Sequence, residues 1–166
     1  GSDSMAALQF LLQGRRNVTL AHFNHGTPLS DEAQVFVGQK AEELELPLLI
    51  GKAEPGTLTT ELEWRNARYD FFREIGKPVV LAHHLDDAIE WWVFSSLRGK
   101  PRLIPPERKL GESKVIRPFL FFTKQDLNNR FGSLGYVNDA SNSNVKFARN
   151  RIRHQILPHA FMINPG

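Results

Sequence analysis

Residues 79–90 read Val79-Val80-Leu81-Ala82-His83-His84-Leu85-Asp86-Asp87-Ala88-Ile89-Glu90, and their order decides the fold. Four apolar residues of strand type run into a polar turn, and an acidic helix start follows at once. An uninterrupted apolar run suits a strand buried on both faces, and a helix leaving its carboxyl end is the unit of a parallel sheet. The same stretch holds chemistry. Asp87 and Glu90 are three apart, and Asp86 and Glu90 four apart, so on a helix these carboxylates share one face, about 5–6 Å apart at Cβ. Dipole complementarity at a helix start accounts for Asp86 and Asp87 and poorly for Glu90. The cluster suits an ammonium group, a magnesium ion, or both. His83 and His84 with an Asp also spell a zinc site, but neighbouring side chains on an extended segment point to opposite sides.

Outward from this stretch, strands and helices alternate. Residues 3–13 form a helix with Ala7, Leu8, Leu11 and Leu12 as its apolar stripe, and residues 18–22 a short strand closed by Asn24-His25-Gly26. Ser30 caps a helix carrying Ala33, Phe36, Val37, Ala41 and Leu44, and residues 47–50 form the next strand. Thr60 and Glu63 make a capping box for a helix that turns Leu62, Tyr69, Phe72 and Ile75 inward and stops at Gly76. Residues 79–82 are a strand, and a helix runs from about 86 to 97. Residues 99–114 form a loop or hairpin, residues 115–117 a strand, Thr123 and Asp126 open a helix through Leu134, and a basic helix spans 148–157. These elements predict a parallel sheet with helices on both faces, with ligands bound beyond the carboxyl ends of its strands. The chain opens on a helix with no strand before it. Either a first segment precedes Gly1, or Gly1-Ser2 is a remnant of cloning.

At 166 residues the chain can bury roughly two-thirds of its unfolded surface in a single domain. Hydrophobic residues at 41% and charged ones at 23% exclude disorder and fibrous repeats. The absence of cysteine excludes disulfides, thiol nucleophiles, iron–sulfur clusters and Cys-ligated zinc. No apolar stretch approaches a membrane span and no signal peptide opens the sequence, so a cytoplasmic enzyme or binding domain is expected. The net charge is only +3, yet residues 146–159 hold Lys146, Arg149, Arg151, Arg153, His154 and His159 with no acid. That tail suits an anionic partner, although a solvated helix face accounts for its charge equally well.

Three further segments carry candidate residues. Gly1-Ser2-Asp3-Ser4 ahead of a helix suits phosphate, because free N–H groups and the helix dipole favour an anion there. Arg65 and Arg68 share a helix face and are good partners for phosphate oxygens, or else decorate a solvated face beside Glu61. Arg149 and Arg153 stand one turn apart with Asn150 and His154 beside them, a pattern for an RNA backbone or a nucleotide phosphate.

In this order the segments resemble the catalytic domain of the tRNA(Ile)-lysidine synthetase family, N-type ATP-pyrophosphatases with a PP-loop. The resemblance rests on Gly1-Ser2-Asp3-Ser4-Met5-Ala6, Ala21-His22-Phe23-Asn24-His25-Gly26, and Arg65-Asn66-Ala67-Arg68-Tyr69-Asp70-Phe71-Phe72. It continues through Ala82-His83-His84-Leu85-Asp86-Asp87 with Glu90, Arg117-Pro118-Phe119-Leu120, Asp139-Ala140-Ser141-Asn142, and Arg149-Asn150-Arg151-Ile152-Arg153-His154. The chain departs from the family pattern at Ala88, Trp91, Thr27-Pro28-Leu29 and Ala140.

The resemblance implies a Rossmann-like fold of the adenine nucleotide alpha hydrolase type, with a parallel five-stranded sheet and helices on both faces. Residues 1–120 would form the PP-loop domain and 121–166 a C-terminal helical part with a basic, RNA-facing helix. It implies ATP and Mg²⁺ as cofactors, and L-lysine and a CAU-anticodon isoleucine tRNA as partners. Lysine would join the wobble cytidine through an adenylated intermediate, giving lysidine. Gly1, Ser2, Asp3, Ser4, His22, Asn24 and Arg65 would bind ATP, with Asp3 also catalytic and a Mg²⁺ ligand. Asp87 and Glu90 would bind the lysine and act in catalysis, and Arg149, Arg151, Arg153 and His154 would bind the tRNA. Two other readings remain open: a different adenylating PP-loop enzyme, as in tRNA thiolation or amide formation, and a non-catalytic nucleotide- or RNA-binding module. No membrane is involved, and the oligomeric state is open, a homodimer included.

Overall fold

A computed structural model describes residues 1–131 and 148–163. The segments around Asn138 and Asp139-Ala140-Ser141-Asn142, and the expected helix end at Leu134, lie outside the described residues.

Helix α1 (Ser2–Gln13) buries Met5, Ala6, Ala7 and Leu8, a stripe shifted toward its start from the expected one. Strand β1 (Leu20–Asn24) pairs in parallel with β2 (Leu48–Lys52), in a register that sets Leu20 opposite Leu48 and Phe23 opposite Gly51. Between them runs α2 (Pro28–Glu43), capped by Thr27 rather than by the expected Ser30. The Thr27 hydroxyl accepts the Ser30 N–H at 3.2 Å. Proline's fixed φ and missing N–H suit it to the first helical position, so the helix starts earlier.

Helix α3 (Glu61–Ile75) has the expected capping box and ends at Gly76, at φ +64°. Glu63 accepts the backbone N–H groups of Thr59 and Thr60 at 2.8 and 2.9 Å. These bonds hold its carboxyl down at about 2. Tyr69 and Phe72 pack with Leu110 and Val115, flanked by Phe71, Ile75, Val79 and Leu81. Leu62 shares their side of the helix but stays exposed, one to two turns ahead of the packed stretch.

Strand β3 spans only Val79–Val80, and α4 (Leu85–Leu97) follows a four-residue turn. The expected loop or hairpin is a hairpin, β4 (Glu107–Leu110) with β5 (Ser113–Ile116), closed by Gly111 at φ +59°. A two-residue turn with positive φ forces its strands antiparallel. β5 in turn pairs in parallel with β3. The described strands therefore form two sheets, β1-β2 and β3-β5-β4, and β4 runs antiparallel, so the uniformly parallel five-stranded sheet is not what these residues build. The architecture is α/β, with every crossover between parallel neighbours carried by helix.

Helix α5 (Lys124–Phe131) is capped reciprocally by Thr123 and Asp126, and it packs on α1 through Ala6, Ala7, Phe119, Leu127 and Phe131. The last helical stretch comprises α6 (Ala148–Arg151), one wider π-type turn (Ile152–Ile156) and α7 (Leu157–Ile163). No described helix is long and apolar enough to cross a membrane.

Gly51 fixes the distance between the first sheet and α3. A Cβ built there would stand 2.6 Å from a Phe71 ring carbon and 2.8 Å from one of Phe23. Gly51→Ala is expected to destabilise the fold by about 1–3 kcal/mol through overpacking, read as a lower urea midpoint with an unchanged m-value. An unshifted midpoint would mean that Phe71 swings aside freely.

Candidate active site

The start of α4 gathers the acidic residues. His84, only 1% exposed, precedes the helix, and its backbone N–H donates to Asp87 Oδ2 at 3.2 Å. Its ring lies between carboxylates, with Nδ1 3.1 Å from Asp86 and Nε2 3.5 Å from Asp87 and 3.9 Å from Asp3. Asp86 also accepts the Lys124 backbone N–H at 2.9 Å, which ties the start of α5 to the start of α4. Asp3 in turn pairs with Lys124 Nζ at 3.2 Å. Asp3, the His84–Asp87 segment and Lys124 thus come from three separate parts of the chain and meet at one place.

Glu90, at 1% exposure, is the most enclosed acid among the described residues. Arg153 binds it with two donors, Nε to one oxygen and Nη2 to the other at 3.1 Å. Arg149 Nη2 approaches Glu90 at 3.6 Å and Asp87 at 3.8 Å, and Arg153 Nη2 reaches Asp87 at 3.4 Å. Burial works against the charge on Arg153, but the hydrogen bond to Glu90 and the fields of Glu90, Asp87 and Asp3 outweigh it and raise its pKa. The expected lysine carboxylates and two of the expected tRNA arginines therefore form one cluster. Arg151 and His154 stand on the exposed side of the same stretch.

A second group, rich in imidazoles, lies along the carboxyl ends of β1 and β3. Burial lowers the pKa of His25 to about 4, with Arg68 and His22 adding to the effect. Burial likewise lowers His83 to about 4, opposed by Asp87 and reinforced by Arg117, Arg149 and Arg68. His22 and Arg68 are also lowered, chiefly by burial. His22 Nε2, His25 Nδ1, His83 Nδ1 and Arg68 Nε are buried without a hydrogen-bond partner in the protein. Orphaned polar atoms are costly unless something else meets them, so this group has the make-up of a site for a polar, hydrogen-bonding ligand such as a nucleotide.

The other expected ATP residues are placed differently. Ser2 Oγ donates to Asp3 Oδ1 at 3.2 Å, while Gly1 and Ser4 are exposed at the start of α1. Asn24 is fully enclosed. Its amide donates to Asp31 and Gln34, both at 2.8 Å, and accepts the Gly26 N–H at 2.8 Å, so it shapes the turn after β1 and offers a ligand nothing. Arg65 is not in the imidazole group; its guanidinium stacks on Tyr69 at 4.7 Å. Among the described residues no three His, Asp or Glu side chains are set to hold a metal ion.

Sequence reading missed His25, Lys124 and Arg117. His25 sits inside a motif from which only His22 and Asn24 are assigned to the nucleotide, and Lys124 looks like an ordinary first-turn residue after a cap. Arg117 is 3% exposed, and donates to the Tyr69 hydroxyl at 3.0 Å and to the Pro105 carbonyl at 2.9 Å.

Because the folded pKa values of His25 and His83, about 4, lie below the ordinary 6.5, the unfolded chain binds more protons between those limits. Their contribution is complete above about pH 6.5 and is lost as pH falls toward 4. The Tm is expected to drop over that interval, and less steeply in His83→Asn. Equal slopes for parent and variant would refute the buried neutral His83.

Comparisons with known proteins identify the family of the chain. A family model of the PP-loop domain matches residues 1–160. The tRNA(Ile)-lysidine synthase of Geobacter sulfurreducens is 33% identical over 186 residues, an alignment covering 100% of this chain and 40% of that protein. The tRNA(Ile)-lysidine synthase of Exiguobacterium sibiricum is 29% identical, with 100% of this chain and 43% of that protein covered. A bifunctional protein TilS/HprT of Listeria innocua is 32% identical, with 100% and 29% covered. The chain spans less than half the length of these curated relatives. With the acidic start of α4, the Asp3-bearing start of α1 and the strand ends between them inside the matched region, the chain belongs to the PP-loop domain family, with its Rossmann-like α/β fold.

Proposed function

We propose that this chain carries the reaction centre of an ATP-dependent ligase that joins lysine to the wobble cytidine of a CAU-anticodon isoleucine tRNA. The observation that carries the reading is the Asp87–Glu90 pair, which already holds two guanidinium groups. Two carboxylates close together that already attract organic cations can also receive the ε-ammonium of lysine, a compact charge with three donors. The named relatives support the same choice of substrates.

In the proposed reaction the cytidine O2 attacks the α-phosphorus of ATP, and the bond to pyrophosphate breaks. The ε-amine, its proton given up to the Asp87–Glu90 pair, then attacks C2, and the bond from C2 to the AMP oxygen breaks. Gly1, Ser2, Asp3 and Ser4 hold the phosphates, with Lys124 beside Asp3, and the orphaned atoms of His22, His25, His83 and Arg68 meet the nucleotide. Asp3 would hold Mg²⁺, an ion that takes only one or two protein carboxylates at nucleotide sites, and the ion would offset developing charge. Arg149, Arg151, Arg153 and His154 orient the RNA. Residues 1–120 provide the nucleotide half and 121–166 the basic helical half. The enzyme works in the cytoplasm.

Asp87→Asn removes one charge from the pair and leaves the start of α1 untouched. It is expected to cut lysine transfer to the tRNA by about 100-fold, about 2.7 kcal/mol of barrier, with ATP affinity close to the parent's because the residues that hold the phosphates are unchanged. Transfer at the parental rate in this variant would remove Asp87 from the proposed role.

A further inference from the structure

Between α3 and the β4–β5 hairpin lies an open cavity of about 340 Å³ into which Arg65, Arg73 and Arg108 converge. One carboxylate, Asp70, shares the cavity, and it pairs with Arg73 at 2.5 Å. Arg65 and Arg108 make no ion pair within 4 Å among the described residues. Both instead lie on the Tyr69 ring, with guanidinium carbons 4.7 and 5.5 Å from its centre. The ring is buried, and its hydroxyl accepts a hydrogen bond from the enclosed Arg117 at 3.0 Å. Tyr69 is therefore a fixed platform that orders two cations before any ligand arrives. The hairpin can close onto α3 because of Gly111, where an added Cβ would stand 3.1 Å from the Arg73 stem. Arg65 spends one Nη2 donor on the Tyr69 hydroxyl at 3.4 Å, and the remaining N–H groups of Arg65 and Arg108 are left for an anion in the cavity.

We infer that this cavity is a subsite for a backbone phosphate of the RNA substrate, separate from the nucleotide site. None of its lining residues carries an orphaned buried atom, in contrast to the imidazole group. Its charge comes from three guanidinium groups, two of them held on the Tyr69 ring, a set suited to the oxygens of a phosphate, with the Asn66 amide beside them. Arg68, one turn along α3 from Arg65, lies within electrostatic reach of both Arg65 and Arg149. An RNA chain entering the active site can continue across Tyr69 to the hairpin.

The inference rests on the reading of tRNA as substrate. Its test measures binding of CAU-anticodon tRNA and of an unrelated tRNA by the intact protein across a KCl series, for the parent, Arg108→Gln and Arg108→Lys. Arg108 is exposed, so the variants are expected to melt with the parent. For Arg108→Gln, both tRNAs are expected to bind about five- to tenfold more weakly, with the slope of log affinity against log salt shallower by about one. Arg108→Lys keeps the slope, and the KM for ATP stays at the parental value in both variants. Unchanged tRNA affinity and slope in Arg108→Gln would overturn the inference, as would a raised KM for ATP with the tRNA slope intact. A parent that binds neither tRNA would bring down the substrate reading, and this inference with it.

Discussion

Glu90 is a carboxylate enclosed in the middle of a helix, and the arrangement around it follows from what an unpaired buried charge costs. Taking such a group from water carries an effective penalty of several kcal/mol, recovered only by close partners with good geometry. Arg153 supplies a two-donor contact and Arg149 a second charge, both from the last helical stretch. Removing one partner of such a pair typically costs about 3–5 kcal/mol. The contact therefore holds the C-terminal helical stretch against α4, and with it the basic face expected to meet RNA. The wider turn at Ile152–Ile156 begins one residue before Arg153. Such turns are rare and concentrate at functional sites.

The same constraint shapes the electrostatics at the strand ends. Asp3, Asp86, Asp87 and Glu90 are set among Lys124, Arg149 and Arg153. Beyond them, burial keeps His25 and His83 neutral at physiological pH, their pKa values lowered to about 4. Neutral imidazoles beside a guanidinium present a polar, weakly charged wall next to a strongly charged one.

Much of this was legible in the sequence because it is local. The Thr60–Glu63 capping box, the stop at Gly76, and the shared face of Asp87 and Glu90 all follow from spacing within one helix. What sequence spacing could not carry was pairing between distant segments. Nothing local says that Arg153 closes on Glu90, that Lys124 meets Asp3, or that Arg117 reaches Tyr69 across 48 positions. The alternation of strands and helices and the parallel pairs were legible, while β4 was not, because a two-residue turn at Gly111 makes it antiparallel to β5. Arg65 and Arg68 illustrate the same limit. Three residues apart, they share a side of the helix in projection, yet Tyr69 takes up Arg65 while Arg68 is buried beside His25 and His83.

The central claim is that these carboxylates, cations and orphaned imidazoles serve one reaction. The most direct measurement is pyrophosphate release from ATP by the intact protein, with and without CAU-anticodon tRNA and lysine, followed by mass spectrometry of the RNA. The account predicts release that depends on that tRNA, and a cytidine in the anticodon that gains the mass of a condensed lysine. Release indifferent to the tRNA, or RNA recovered without added mass, would contradict it.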